Sequence, residues 1–187
     1  MPTRFTHVCC GPQGLHTERW PDRRHFLQTF ALGGSAAGLA MLLPGARSYA
    51  AWQPEAVLLS CMDYRLVEAT AHYMASRGLK EKYDHLILAG AALGVLTDKF
   101  PSWNQTFWDH LGVAIDLHKI HKGMILDHRD CGAYKVILGE DFAKDPAKET
   151  AIHTTQLQRL GQRIKAKHPA LDVELLLMAL DGKVERI

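Results

Sequence analysis

The chain has 187 residues, 47% of them hydrophobic and 22% charged, with a formal net charge of +2. That composition fits one globular domain with a short extra segment, and it excludes a low-complexity, repeat or collagen-like chain. No apolar run reaches the roughly 18 to 20 residues that a membrane span needs.

Residues 1–50 read as a targeting segment. Asp22-Arg23-Arg24-His25-Phe26-Leu27-Gln28 is a twin-arginine pattern. A mildly apolar stretch runs from Phe30 to Leu43, broken by Gly33, Gly34, Ser35 and Gly38, and ends at Pro44-Gly45. Ser48-Tyr49-Ala50 is a small-x-small cleavage site. Paired arginines, apolar core and cleavage site in that order predict a twin-arginine (Tat) export signal, cut after Ala50; the alternative is an N-terminal amphipathic helix. The expected organisation is a signal over 1–50 and one domain over 51–187. The Tat machinery would be the partner of residues 1–50, and the mature protein would lie in a bacterial periplasm.

The signal takes five of the 22 basic residues and two of the 20 acidic ones. The mature part keeps 17 basic and 18 acidic residues, a net charge of about −1, so nothing in its charge argues for nucleic-acid binding. Cys9 and Cys10 leave with the signal, so only Cys61 and Cys131 remain. Two cysteines in an exported protein suggest a disulfide as the default.

From residue 55 onward the pattern alternates strand and helix. Ala56-Val57-Leu58-Leu59 predicts a first strand. Leu66, Ala69, Thr70, Tyr73 and Met74 recur at helical spacing, with Gly78 as a stop. His85 to Leu88 predicts a second strand, running into Ala89-Gly90-Ala91-Ala92. Ser102 is placed to cap a helix carrying Trp103, Phe107, Leu111, Ala114, Ile115 and His118 on one face. Trp103, Phe107 and Trp108 read as core rather than as a binding cage. Gly123 to Leu126 predicts a third strand, and Gly132 opens a short helix over Tyr134–Leu138.

Glu140 to Lys148 reads as a charged loop, and Ala151 to Lys167 as a helix with Ile152, Leu157, Leu160 and Ile164 inward. Val173 to Ala179 predicts a fourth strand. Asp181-Gly182 is a hairpin signal, with Lys183 to Ile187 a short antiparallel edge strand. The fold class is therefore α/β: a mostly parallel sheet of about four strands with flanking helices.

Ligands of such sheets bind beyond the carboxyl ends of the strands, where strand order reverses. Ser60-Cys61-Met62-Asp63 follows the first strand, and Asp127-His128-Arg129-Asp130-Cys131-Gly132 follows the third. Cys61 with His128-x-x-Cys131 makes a Cys2His set, and zinc takes such ligands in tetrahedral geometry. A disulfide needs neither His128 nor the Asp63 and Arg65 that follow Cys61. Asp63 is placed to fill a fourth zinc position or to accept a hydrogen bond from a water there. Arg65 is placed to hold Asp63 in a bidentate ion pair, the alternative being an ordinary surface pair. His118 and His121 are candidate proton relays among scattered surface or half-buried histidines. Gly132 either presents backbone N–H groups to an anion or simply packs.

Cys61-Met62-Asp63-Tyr64-Arg65 and His128-Arg129-Asp130-Cys131-Gly132 resemble the Cys-x-Asp-x-Arg and His-x-x-Cys-Gly signatures of beta-class carbonic anhydrases. The resemblance covers most of residues 55–187. It implies that Cys61, His128 and Cys131 hold Zn2+, that Asp63 and Arg65 are catalytic, and that Ala89, Gly90 and Gly132 meet the substrate. It also implies reversible hydration of carbon dioxide to bicarbonate, and a homodimer. Ile87-Leu88-Ala89-Gly90 departs from the family's usual Arg-Asn-Ala-Gly, and Tyr64 is bulky where the family often has a small residue. Two other functions remain open at this point: hydrolysis of a carbon dioxide analogue (carbonyl sulfide or carbon disulfide), and non-catalytic binding of zinc or bicarbonate.

Overall fold

The computed structural model describes residues 53–187. The twin-arginine segment and the cleavage site after Ala50 lie outside the described residues. Among those described, no helix is long and apolar enough to cross a membrane.

Five strands form one sheet: β1 (Ala56–Ser60), β2 (Tyr83–Ile87), β3 (Lys122–His128), β4 (Asp172–Met178) and β5 (Val184–Arg186). Their order is β2-β1-β3-β4-β5. The first four are mutually parallel, and β5 runs antiparallel to β4 as the hairpin signal predicts. All five residues of β1 are buried, the mark of an interior parallel strand covered on both faces. The order reverses between β1 and β3, so the expected crevice lies beyond Ser60 and His128.

Helices α1 (Val67–Ser76), α2 (Ala91–Leu96), α3 (Pro101–His118), α4 (Gly132–Leu138) and α5 (Pro146–Lys167) complete the domain. Val57, Leu59 and Ile125 pack beneath α2, α3 and α5 through residues such as Val95, Phe107 and Leu157. On the opposite face, Leu58, Met124 and Leu176 pack with Leu66 and with Met74 of α1. At about 25 cal/mol per Å2 of apolar surface removed from water, these two layers supply the main driving force for folding.

Three elements differ from the sequence reading. Ala91–Leu96 is a helix rather than a strand extension, begun by Gly90 in the left-handed region at φ +75°. Ser102 does not cap α3: the helix starts at Pro101, whose fixed φ suits a first helical position. Helix α5 begins at Pro146, inside the predicted loop, where the Asp145 carboxylate accepts hydrogen bonds from the Ala147 and Lys148 N–H groups.

Candidate metal centre

Parallel pairing aligns Ser60 with Leu126, so the residues just beyond β1 and at the end of β3 meet at one sheet edge. His128 is the last residue of β3, and Cys131 caps α4. The turn between them passes through Asp130 at φ +54°, a left-handed conformation that Asp tolerates better than most residues. The donor atoms of Cys61, His128 and Cys131 lie within 4.8 Å of one another.

Both cysteines are free, with Sγ atoms 3.9 Å apart. A tetrahedral ion with bonds of about 2.3 Å to each sulfur would hold them about 3.8 Å apart. His128 Nδ1 lies 2.8 Å from the Arg129 carbonyl oxygen. A carbonyl only accepts, so Nδ1 carries the hydrogen and Nε2 keeps a lone pair. Among the described residues, Nε2 is the buried side-chain nitrogen or oxygen that has no hydrogen-bond partner. An orphaned buried acceptor is costly. A cation between it and the two sulfurs removes that cost, so the three side chains fit a metal ion.

The electrostatics are those of a cation site. A hydrogen bond from the Cys131 thiol lowers the Cys61 pKa to about 4 against the opposing effect of burial, aided by His128 and the Gly90 N–H. Cys131 is pushed up, because Cys61 takes its proton in a hydrogen bond and because it is buried. Burial works against a charged His128, yet Cys61 and Asp63 beside it outweigh that and raise its pKa. Loading a metal here must displace these protons.

Asp63 faces the same space, its Oδ2 atom 3.9 Å from His128 Nε2. Arg65 holds it: Nε donates to Oδ1 at 3.0 Å, a terminal guanidinium nitrogen to Oδ2 at 2.8 Å, and the backbone N–H to Oδ1 at 3.0 Å. These bonds lower the Asp63 carboxyl to about 2. Arg65 also donates to Asp130, to Oδ2 at 2.7 Å and to the carbonyl oxygen at 2.9 Å. The guanidinium therefore joins the loop after β1 to the loop after β3.

A cleft of about 450 Å3 opens beside Cys61 and Asp63, with apolar walls that include Met62, Tyr64, Phe100, Trp103 and Val136. Ala89 and Gly132 line it. A Cβ added at Gly132 would meet nothing within 4 Å, so this glycine opens the cleft and does not serve close packing. Gly90 has a different place. Its N–H donates to Cys61 Sγ at 3.3 Å, and a Cβ there would lie 3.1 Å from the Ala133 side chain.

Residues 53–187 match the family described as "Putative carbonic anhydrase". The chain belongs to this family. Uncharacterized proteins of Rickettsia conorii and Rickettsia bellii are each 40% identical to it over 131 residues, which is 70% of this chain and 70% and 80% of theirs. A beta-carbonic anhydrase from Trichomonas vaginalis is 21% identical, covers 72% of this chain and 82% of its own, and superposes with a TM-score of 0.46.

Within this carbonic anhydrase family member, the side chains of both sequence signatures converge on one edge of the sheet. Of the pair standing in place of Arg-Asn, Ile87 is exposed and Leu88 packs on the core, so neither brings a hydrogen-bonding side chain. Trp103 is not core: it lines the cleft, stacked on Phe100 at 4.2 Å. His118 and His121 are not relays for this site. His118 pairs with Asp84 at the end of α3, and both histidines precede β3, whose far end carries His128. His153 is fully buried rather than at the surface. Sequence reasoning also missed Asp130 as the second partner of Arg65 and gave no role to Asp127, although a lone acid in the apolar run of β3 was a visible signal.

Proposed function

We propose that this protein is a zinc enzyme catalysing reversible hydration of carbon dioxide to bicarbonate and a proton. The observation that carries the proposal is the unpartnered His128 Nε2 facing two sulfurs 3.9 Å apart, with the Asp63–Arg65 clamp beside them. Cys61, His128 and Cys131 would hold the ion. Zinc bound there would supply a Lewis acid that makes water a nucleophile.

The chain's own residues would do the rest. Asp63, ionised throughout the working range, accepts a hydrogen bond from the attacking oxygen and turns its lone pair toward the substrate carbon. Arg65 occupies both Asp63 oxygens, which supports an enzyme over a closed, non-catalytic metal site. The apolar walls beside Cys61 suit a small linear molecule without charge. Stopped-flow hydration by protein of verified zinc content is the test. Zinc-replete protein no faster than buffer would sink the proposal.

The same apolar cleft favours a second reading, hydrolysis of carbonyl sulfide or carbon disulfide on the same residues. Sulfide release from either compound, measured beside the hydration rate, decides between the two.

We also propose a homodimer. Tyr64 is 85% exposed, Val136 68%, Met62 65% and Ile87 53%, and all four lie at the carboxyl edge of the sheet. Large apolar side chains exposed together at one edge suit a contact area. Analytical ultracentrifugation should give the dimer mass, and Tyr64→Glu should shift it to the monomer; a wild-type monomer at micromolar concentration would overturn the assignment.

A further inference from the structure

We propose that Asp127 is a positioning residue that sets the spacing of all three metal ligands from behind the site. The inference rests on the reading of Cys61, His128 and Cys131 as ligands.

Asp127 is 1% exposed, on the face of β3 that carries Ile125. An interior parallel strand normally places an apolar side chain there, because burying a carboxylate is expensive unless it is fully hydrogen-bonded. Asp127 is fully hydrogen-bonded. Oδ1 accepts the Ala92 N–H at 3.0 Å. Oδ2 accepts the Tyr134 hydroxyl at 2.5 Å and lies 2.9 Å from His153 Nδ1.

The chain itself and two of the three tethers lead to the ligands. His128 is the next residue in the chain, so fixing Asp127 fixes the end of β3. Ala92 is two residues past Gly90, whose N–H donates to Cys61 Sγ at 3.3 Å. Tyr134 is three residues past Cys131, and its own N–H bonds the Cys131 carbonyl at 3.1 Å. His153 ties the carboxylate to α5, with its ring 3.9 Å from that of Tyr134. One carboxylate thereby joins β3, α2, α4 and α5 directly behind the edge where Cys61, His128 and Cys131 meet. Outer groups of this kind hold ligand geometry, and losing one typically costs about 10- to 100-fold in metal affinity.

The experiment measures the zinc dissociation constant of the full chain by competition with a chromophoric chelator, and the visible spectrum of the cobalt-substituted protein. Asp127→Asn keeps the shape and loses the charge. Tyr134→Phe removes a single tether. Glu174→Gln is the control: Glu174 is another buried carboxylate, held by Arg77 and Lys122 near the start of β3. Asp127→Asn should weaken zinc binding by about 10- to 100-fold and shift the cobalt bands. Tyr134→Phe should do the same to a smaller extent. Glu174→Gln should lower the melting temperature and leave both metal readings unchanged.

A folded Asp127→Asn protein with the wild-type zinc constant and cobalt spectrum overturns the proposal. If that variant does not fold, Tyr134→Phe decides: unchanged metal readings overturn the proposal, and weaker zinc with shifted bands supports it. Wild-type protein that takes up neither metal sinks the metal reading itself, and this inference with it.

Discussion

Cys61→Ser, His128→Ala and Cys131→Ser should each abolish zinc retention through purification, with hydration lost in parallel. Structural zinc sites with four protein ligands bind with about 10–16 kcal/mol at neutral pH, or roughly 2.5–4 kcal/mol per ligand. Loss of one ligand should therefore weaken affinity by about a hundred-fold or more. His128→Ala should differ from the others in one respect. It leaves two thiols whose sulfurs start 3.9 Å apart. With the metal no longer holding the thiolates, this variant should oxidise in air more readily than zinc-loaded wild type. Elemental analysis and thiol counting on the three variants are the measurements. Full zinc in all three would remove the site from consideration.

Arg65→Ala should keep its zinc and lose hydration by about 10- to 100-fold, the usual cost of removing an outer group from a metal site. The direction of the pH effect follows from charge. Two thiolates cancel the charge of the ion, so the activated water should ionise above the value of about 7 found with three histidines. Wild-type activity should thus be low near neutrality and rise on the alkaline side. In the variant the Asp63 charge has lost its counter-ion, which disfavours a second negative charge nearby and moves the rising limb further alkaline.

Asp63 itself behaves in the opposite sense. Arg65 holds its pKa at about 2, below the ordinary carboxylate range. The stabilisation by the pair is present above the unfolded pKa of about 4, and it is lost only as the pH falls toward 2. The clamp is therefore intact across the pH range of a hydration assay. Full zinc with an unshifted profile and unimpaired rate in Arg65→Ala would show that the clamp is structural only.

The site was legible because its residues sit in two short segments. Cys61 through Arg65 and His128 through Gly132 each follow an apolar run, and alternating strands and helices bring both runs to one edge. The limits of that reading are equally local. Ala91–Leu96 shows no helical period because nearly every residue in it is small or apolar and buried on all sides. The start of α5 was visible in Asp145-Pro146, a capping residue followed by a good first helical residue, but the surrounding charges disguised it as a loop. The bonds from Arg65 to Asp130 and from His153 to Asp127 join positions 65 and 26 residues apart. No periodicity or short motif reports contacts at such separations; they depend on how loops and helices stack over the sheet.

Cys61 and Cys131 stand 70 positions apart, with α1, β2, α2, α3 and β3 between them. Closing a flexible loop of that length costs roughly 4 kcal/mol beyond its constant term. The unfolded chain therefore offers no preformed nest for an ion, and the donors assemble only once β1 has found β3. Apart from weak binding to the local His128–Cys131 pair, the free energy an ion would contribute goes to the finished fold. At a free concentration a thousand times its dissociation constant that is about 4 kcal/mol, a large share of the stability of an ordinary domain. An ion seated between the first and third strands thus acts as a latch that closes last, and a chain that carries one has already paired its central strands.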